Sequence, residues 1–281
     1  MKLIRFGELG EEKPGVLMDG VRRDCSDHFI DWNRSFFKNE GINKLEEFIA
    51  AEGVDLPIVP EHERHAPCIA RPGMIMCVGL NYADHASESA MELPNEPIIF
   101  GKASNTLCGA FDDVPIPRGS KKTDYEVELG VVLSKDVTYL NNEEEAMAAI
   151  AGYCIMNDYS ERSFQLERGG QWIKGKSCPK FSPLGPYLCT VDELNNPNSL
   201  DMQLKVNGDV RQESNTQHMI FKPGYLIYYL SQFMLLEAGD LISTGTPSGV
   251  ALGMEPPIYL KAGDVVELSI EGLGTQKQQL V

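Results

Sequence analysis

A chain of 281 residues, 42% apolar and 23% charged, has the make-up of an ordinary globular protein and is long enough to bury a sizeable core. Its 41 acidic against 25 basic residues leave a net charge of −16, which repels nucleic acid, anionic membranes and any anionic metabolite that local cations do not hold. Apolar runs fall well short of the ~20 residues that span a bilayer. Met1-Lys2-Leu3-Ile4-Arg5-Phe6-Gly7 lacks a signal-peptide apolar region, so a cytoplasmic protein is expected.

In chain order, residues 1–65 read as a small N-terminal α+β unit. It has strand-like pieces at Lys2–Phe6 and Gly15–Met18, a helix over Ile42–Ala51 and a proline-marked linker from Pro57 to Pro67. His62-Glu63-Arg64-His65 lacks the spacing of a zinc-protease helix and is read as surface. From residue 66 to 281 the pattern becomes many short strands: Met74–Val78, Pro97–Gly101, Tyr125–Leu133, Ala151–Met156, Tyr187–Thr190, Gln203–Asn207, Asp240–Ser243 and Val265–Ile270. Two helices interrupt them, one near Asn142 with Glu145 three residues on, the other from Pro223 through Ile227, Leu230 and Met234. Many strands and few helices predict a β-rich α+β fold, closed or sandwiched, not a βαβ repeat. The seven cysteines are widely spaced without a C-x-x-C pair, which argues against a disulfide framework or structural zinc and suits small buried hydrophobes.

Four stretches could carry chemistry. In Tyr125-Glu126-Val127-Glu128-Leu129, strand geometry sends Glu126 and Glu128 to one face. Two such carboxylates repel unless a cation lies between them or one is protonated, and a solvated acidic edge is the plainer alternative. Asp158, ending an apolar strand, could add a third oxygen or simply form a turn, and Arg162 and Gln165 follow within reach. In Asn81-Tyr82-Ala83-Asp84-His85-Ala86-Ser87-Glu88, a helical turn would place His85 and Glu88 as i, i+3 neighbours, either a water-activating pair or an ordinary surface pair. Trp172-Ile173-Lys174-Gly175-Lys176-Ser177 lacks phosphate-loop spacing, which excludes a nucleotide reading, and the turn Ser243-Thr244-Gly245-Thr246-Pro247 offers amides and hydroxyls to a carboxylate.

Taken in order, G-L-N-Y-A-D-H-A-S-E (79–88), P-I-I-F-G-K-A-S (97–104), Y-E-V-E-L-G-V-V-L (125–133), N-D-Y-S-E-R-S-F-Q (157–165), K-G-K-S (174–177) and G-D-L-I-S-T-G-T-P-S-G-V (239–250) resemble the fumarylacetoacetate hydrolase family. The resemblance runs from about residue 70 to the C-terminus. It implies a mixed β-sandwich roll, a homodimer, and Mg²⁺ or Mn²⁺ held by Glu126, Glu128 and Asp158. It further implies His85 and Glu88 as the mobile catalytic pair, Lys176 as the active-site lysine, and Gln165, Lys102, Arg162 and Thr246 near the substrate. The family often reads S/T-A-R-D after the metal-binding Asp; here Ser160-Glu161-Arg162-Ser163 keeps the arginine and changes its neighbours.

The implied substrate is a small 2-oxo acid, and the implied reaction is hydrolysis of the C3–C4 bond of a 2,4-diketo acid to pyruvate and a second acid. In it His85, oriented by Glu88, activates water, Lys176 and Gln165 stabilise the oxyanion, and Lys176 supplies a proton. The segment 163–172 resembles the subgroup acting on 2,4-diketo-3-deoxy sugar acids. The same metal site without a positioned water would decarboxylate oxaloacetate or act as another 2-oxo acid lyase or isomerase, and a non-catalytic metal-stabilised binding protein is the rival from another class.

Overall fold

The computed structural model describes residues 1–52, 56–83, 94–194 and 196–281. Its strands are β1 Lys2–Phe6, β2 Lys13–Met18, β3 Val21–Asp24, β4 Ile75–Gly79, β5 Ile98–Lys102, β6 Leu107–Gly109, β7 Thr123–Asp124, β8 Val127–Leu133, β9 Ile150–Asn157, β10 Ser160–Glu161, β11 Ser182–Thr190, β12 Asp201–Val206, β13 Asp209–Asn215, β14 Leu241–Ser243, β15 Val265–Ile270 and β16 Gly274–Gln279. The helices are α1 Arg34–Lys38, α2 Gly41–Glu52, α3 Glu143–Met147, α4 Arg162–Leu166, α5 Ile173–Lys176 and α6 Pro223–Ser231. No helix among the described residues is long and apolar enough to cross a membrane.

One sheet runs β3-β2-β1-β11-β9-β8-β14-β4-β5, with β6 added to β11, and a second runs β13-β12-β15-β16. The large sheet cannot be flat. β6 pairs with Ser182–Leu184 on the edge of β11 away from β9, so a flat sheet would set it six strand spacings, roughly 29 Å, from β5. Yet only the turn around Ser104–Thr106 joins Lys102 to Leu107, a reach of at most ~18 Å. The sheet therefore curls into an open roll.

The alternation read in the sequence decides what fills each side of β8. Tyr125, Val127, Leu129 and Val131 share one core cluster with Leu204, Val266, Leu268 and Ile270 of the second sheet. Val132, with Cys154 and Met156 of β9, belongs to a second cluster inside the roll with Leu3, Trp32 and Phe36. Glu126 and Glu128 share that inner face. β8 lies between β9 and β14 with every residue buried, so the solvated acidic edge is excluded.

The N-terminal segment is continuous with this architecture: β1 pairs with β11 (Lys2 opposite Cys189), and Trp32 Nε1 donates to Ile4 O at 2.7 Å. Asn142 caps α3, its Oδ1 accepting from Glu145 N at 2.9 Å as the near capping box suggested. α6 ends three residues before Met234, where Phe233 N turns to Leu230 O in a tighter turn. All seven cysteines are free and buried. His62 is exposed, but His65, read as surface, is half-buried. Its ring packs edge-on to Phe111, and Nδ1 is buried without a hydrogen-bond partner.

Candidate metal centre and active site

β8 and β9 are antiparallel with Val127 opposite Asn157, so the entry to one strand lies beside the exit from the other. That places Glu126, Glu128 and Asp158 together, with one carboxylate oxygen from each within 4.8 Å of the others and all three residues buried. The backbone joins them, Asp158 N donating to Glu126 O at 3.0 Å.

Three cations surround two of these acids. Lys176 Nζ, at the end of α5, lies 2.6 Å from Glu126 Oε2 and 2.7 Å from Asp158 Oδ2. Lys102 Nζ, at the end of β5, reaches Asp158 Oδ1 at 2.5 Å and Tyr159 O at 3.1 Å. Arg162 donates from Nη2 to Glu126 Oε1 (2.6 Å), from Nε to Asp124 Oδ2 (2.8 Å) and from Nη1 to Gln165 Oε1 (3.0 Å). Since the Gln165 oxygen turns to Arg162, a ligand meeting this side chain would meet its NH₂ donors. Burial alone would lower the Lys176 pKa, but the Asp158 and Glu126 carboxylates outweigh it and hold the ammonium charged.

Glu128 differs, because its hydrogen bonds come from neutral donors: Ser243 Oγ at 2.5 Å and Gly245 N at 2.9 Å, both to Oε2. Gly245 is required there. Its φ is +97°, and a Cβ would lie 2.8 Å from Asn81 Cβ and 3.0 Å from Val78 O. Asn81 clamps this corner, donating from Nδ2 to Thr244 O (2.7 Å) and Phe221 O (2.9 Å). The Thr246 hydroxyl donates to Val127 O at 2.9 Å and accepts from Gln212 Nε2 at 2.8 Å. It therefore serves the wall of the site, and this geometry does not turn it toward the acids.

Ionised, Asp124, Glu126, Glu128 and Asp158 bring four negative charges against three positive ones from Lys102, Arg162 and Lys176, all buried. The cluster is one positive charge short. Burial first, then the neighbouring Asp158 and Glu126, push the Glu128 carboxyl well above the usual carboxylate range, a shift that a further cation beside it would oppose. A buried trio of hard carboxylate oxygens short of positive charge fits a divalent ion such as Mg²⁺ or Mn²⁺.

Sequence reasoning passed over Asp124 and Glu161. Asp124, fully buried, accepts from Arg162 and from the backbone N–H groups of Ala251 (2.8 Å) and Leu252 (3.1 Å), tying the arginine to the loop after Gly249. Glu161 caps α4 by accepting from Ser163 N (3.1 Å) and Ser163 Oγ (2.5 Å), and it also accepts from Lys122 N and Ser120 Oγ. The altered Ser160-Glu161-Arg162-Ser163 run thus keeps the arginine aimed at Glu126 while its acid braces the helix start. His85 and Glu88 lie outside the described residues.

A buried acidic trio on the inner face of a curled sheet, backed by two lysines and an arginine, is a candidate site for a divalent ion. Residues 74–281 match the model for the fumarylacetoacetate (FAA) hydrolase C-terminal domain, and the chain belongs to the fumarylacetoacetate hydrolase family. It is 49% identical over 283 residues to a Burkholderia multivorans protein, covering 99% of this chain and 98% of the relative, whose name says hydrolase and gives no substrate. Among solved structures it is similar to a fumarylacetoacetate hydrolase from Exiguobacterium antarcticum, at 32% identity and TM-score 0.85, covering 100% of this chain and 99% of that one. It is also similar to a Sphingobium maleylpyruvate hydrolase in complex with manganese(II) and pyruvate, at 25% identity and TM-score 0.82, with the same coverage.

Proposed function

We propose that this protein is a divalent-metal-dependent hydrolase of 2,4-diketo acids, cleaving the C3–C4 bond to give pyruvate and a second carboxylic acid. The observation that carries the reading is the charge balance of the buried cluster. Its single missing positive charge becomes a single surplus when a divalent ion binds, and the carboxylate of a 2-oxo acid then brings the sum to zero. The Sphingobium relative, with manganese and pyruvate together in one structure, supports the same pairing of ion and product.

The ion held by Glu126, Glu128 and Asp158 would supply a Lewis acid that a 2-oxo acid chelates and that accepts the charge released when C3–C4 breaks. The remaining work falls to the chain. His85, oriented by Glu88, takes a proton from water as its oxygen adds to C4; when the C3–C4 bond breaks, C3 needs one proton, which the imidazolium holds. Lys176 acts as a fixed charge, since two carboxylates keep its ammonium protonated, and together with the Gln165 NH₂ it would meet the developing oxyanion. Losing one such donor costs about 3–4 kcal/mol of barrier. Arg162 and Lys102 hold Glu126 and Asp158 in place.

The test is pyruvate release from an acylpyruvate, a 2,4-diketo-3-deoxy sugar acid and oxaloacetate, each with and without Mg²⁺ or Mn²⁺. Metal-dependent cleavage of either diketo acid is expected. Turnover of oxaloacetate alone would overturn the hydrolase reading in favour of a decarboxylase.

A further inference from the structure

On the functional reading above, we infer that Phe100 and Trp172 form the wall receiving the group that C4 of the substrate carries, and that this group is short and apolar or unsaturated, not a polyhydroxylated chain. The direction comes from burial. Beyond Glu128 stand Ser243 and Gly245; beyond Asp158 stands Lys102, its Nζ 6.0 Å from the centre of the fully buried Phe181 ring; beyond Glu126 stand Arg162 and Asp124. All of these are buried. On the side of α5, in contrast, Phe100 and Trp172 are both partly exposed, so among the described residues the cluster opens toward them.

The two rings continue from the charged centre. Lys176 Nζ lies 5.0 Å from the centre of the Phe100 ring, and Trp172 meets Phe100 edge-on at 5.1 Å. The indole lies against Gly79, where any Cβ would come within 3.0 Å of the ring. Glycine at that strand end makes room for the indole.

Two polar groups nearby turn elsewhere: Lys174 Nζ donates to Arg168 O at 2.7 Å, and Ser177 Oγ accepts from Ala103 N at 2.9 Å. Among the described residues the wall thus presents hydrocarbon and π faces, with the Trp172 indole N–H as a donor. A hydroxyl pressed against those ring faces gives up water without a hydrogen bond in return, whereas an alkyl or alkenyl group loses nothing and gains the burial.

The experiment measures kcat and KM for a short-chain acylpyruvate and for a 2,4-diketo-3-deoxy sugar acid, in the Mg²⁺-loaded wild type, Trp172→Ala and Trp172→Phe. We expect the wild type to prefer the acylpyruvate. Trp172→Ala should raise its KM about tenfold, the scale of a lost apolar contact, while Trp172→Phe largely restores it. Inhibition by pyruvate, which lacks the C4 group, should stay within twofold of wild type in both variants, a result that general damage to the site would not give. A second readout uses the two tryptophans, since Trp32 is fully buried in the second core cluster. Mixing with acylpyruvate should change the fluorescence of the wild type and leave that of Trp172→Phe unchanged. Pyruvate release with the sugar acid preferred, or with the substrate ratio unmoved by Trp172→Ala, would overturn the wall and leave the hydrolase reading standing. Absence of metal-dependent pyruvate from both diketo acids would overturn that reading and the wall with it.

Discussion

Glu128 and Gly245 meet at 2.9 Å, a buried carboxylate accepting a backbone N–H from a residue held at φ +97°. Substituting Gly245→Ala strains that backbone and drives a methyl group onto Asn81 and Val78 O. A loss of about 1–3 kcal/mol in unfolding free energy is expected, read from urea midpoints. Divalent-ion affinity, measured by calorimetry, should fall alongside, because the N–H that orients Glu128 moves. Unchanged affinity would show that this donor does not shape the metal site.

Glu128→Gln separates stability from function. The glutamine can still accept from Ser243 and Gly245, yet it removes the carboxyl whose ionisation burial opposes. Without added metal the variant should be as stable as wild type or up to about 1–2 kcal/mol more stable. Mg²⁺ binding and pyruvate release should both be lost.

Lys176→Met leaves Glu126 and Asp158 without the ammonium they share. Breaking a buried ion pair in this way costs about 3–5 kcal/mol. Added Mn²⁺ should recover part of the stability by supplying positive charge at the same oxygens, while turnover stays low. Equal losses with and without Mn²⁺ would mean that the lysine and the ion do not share ligands.

His65 yields a pH prediction away from the site. Burial first, then nearby Arg22, push its imidazole down to about 4, against ~6.5 in an unfolded chain. The unfolded state therefore binds the extra proton first. The stability contributed is fully present above pH ~6.5 and is lost as the pH falls toward 4. His65→Gln should remove this part of the acid dependence, visible as the difference between the two proteins in urea midpoint across that window.

Glu126, Glu128, Asp158 and Lys176 could be picked out from the chain because a two-residue alternation and the order of short motifs mark them, and both are local properties. Asp124 and Glu161 gave no such mark. An acid at a strand entry or before a short helix looks like a turn residue until Arg162, Ala251 and Leu252 are seen to converge on the one and Ser120 on the other. Strand β16 escaped notice for a related reason. Gln276 and Gln278 occupy its buried positions, donating to Ile155 O (2.8 Å) and Ala110 O (2.6 Å), so the apolar alternation that advertises a strand is missing. The start of β11 was hidden by Pro183, Gly185 and Pro186, where the pairing with β9 shifts register.

The order of strands in the large sheet also sets when the molecule can come into being. β1 waits for a partner at Cys189, and β4 and β8 wait for β14, whose Ser243 and following Gly245 complete the surroundings of Glu128. A growing chain therefore carries Glu128 through 115 further residues before Ser243, one of the groups that hold it, emerges. Such distant pairings make folding slow, and no N-terminal fragment ending before Gly245 would hold a finished site.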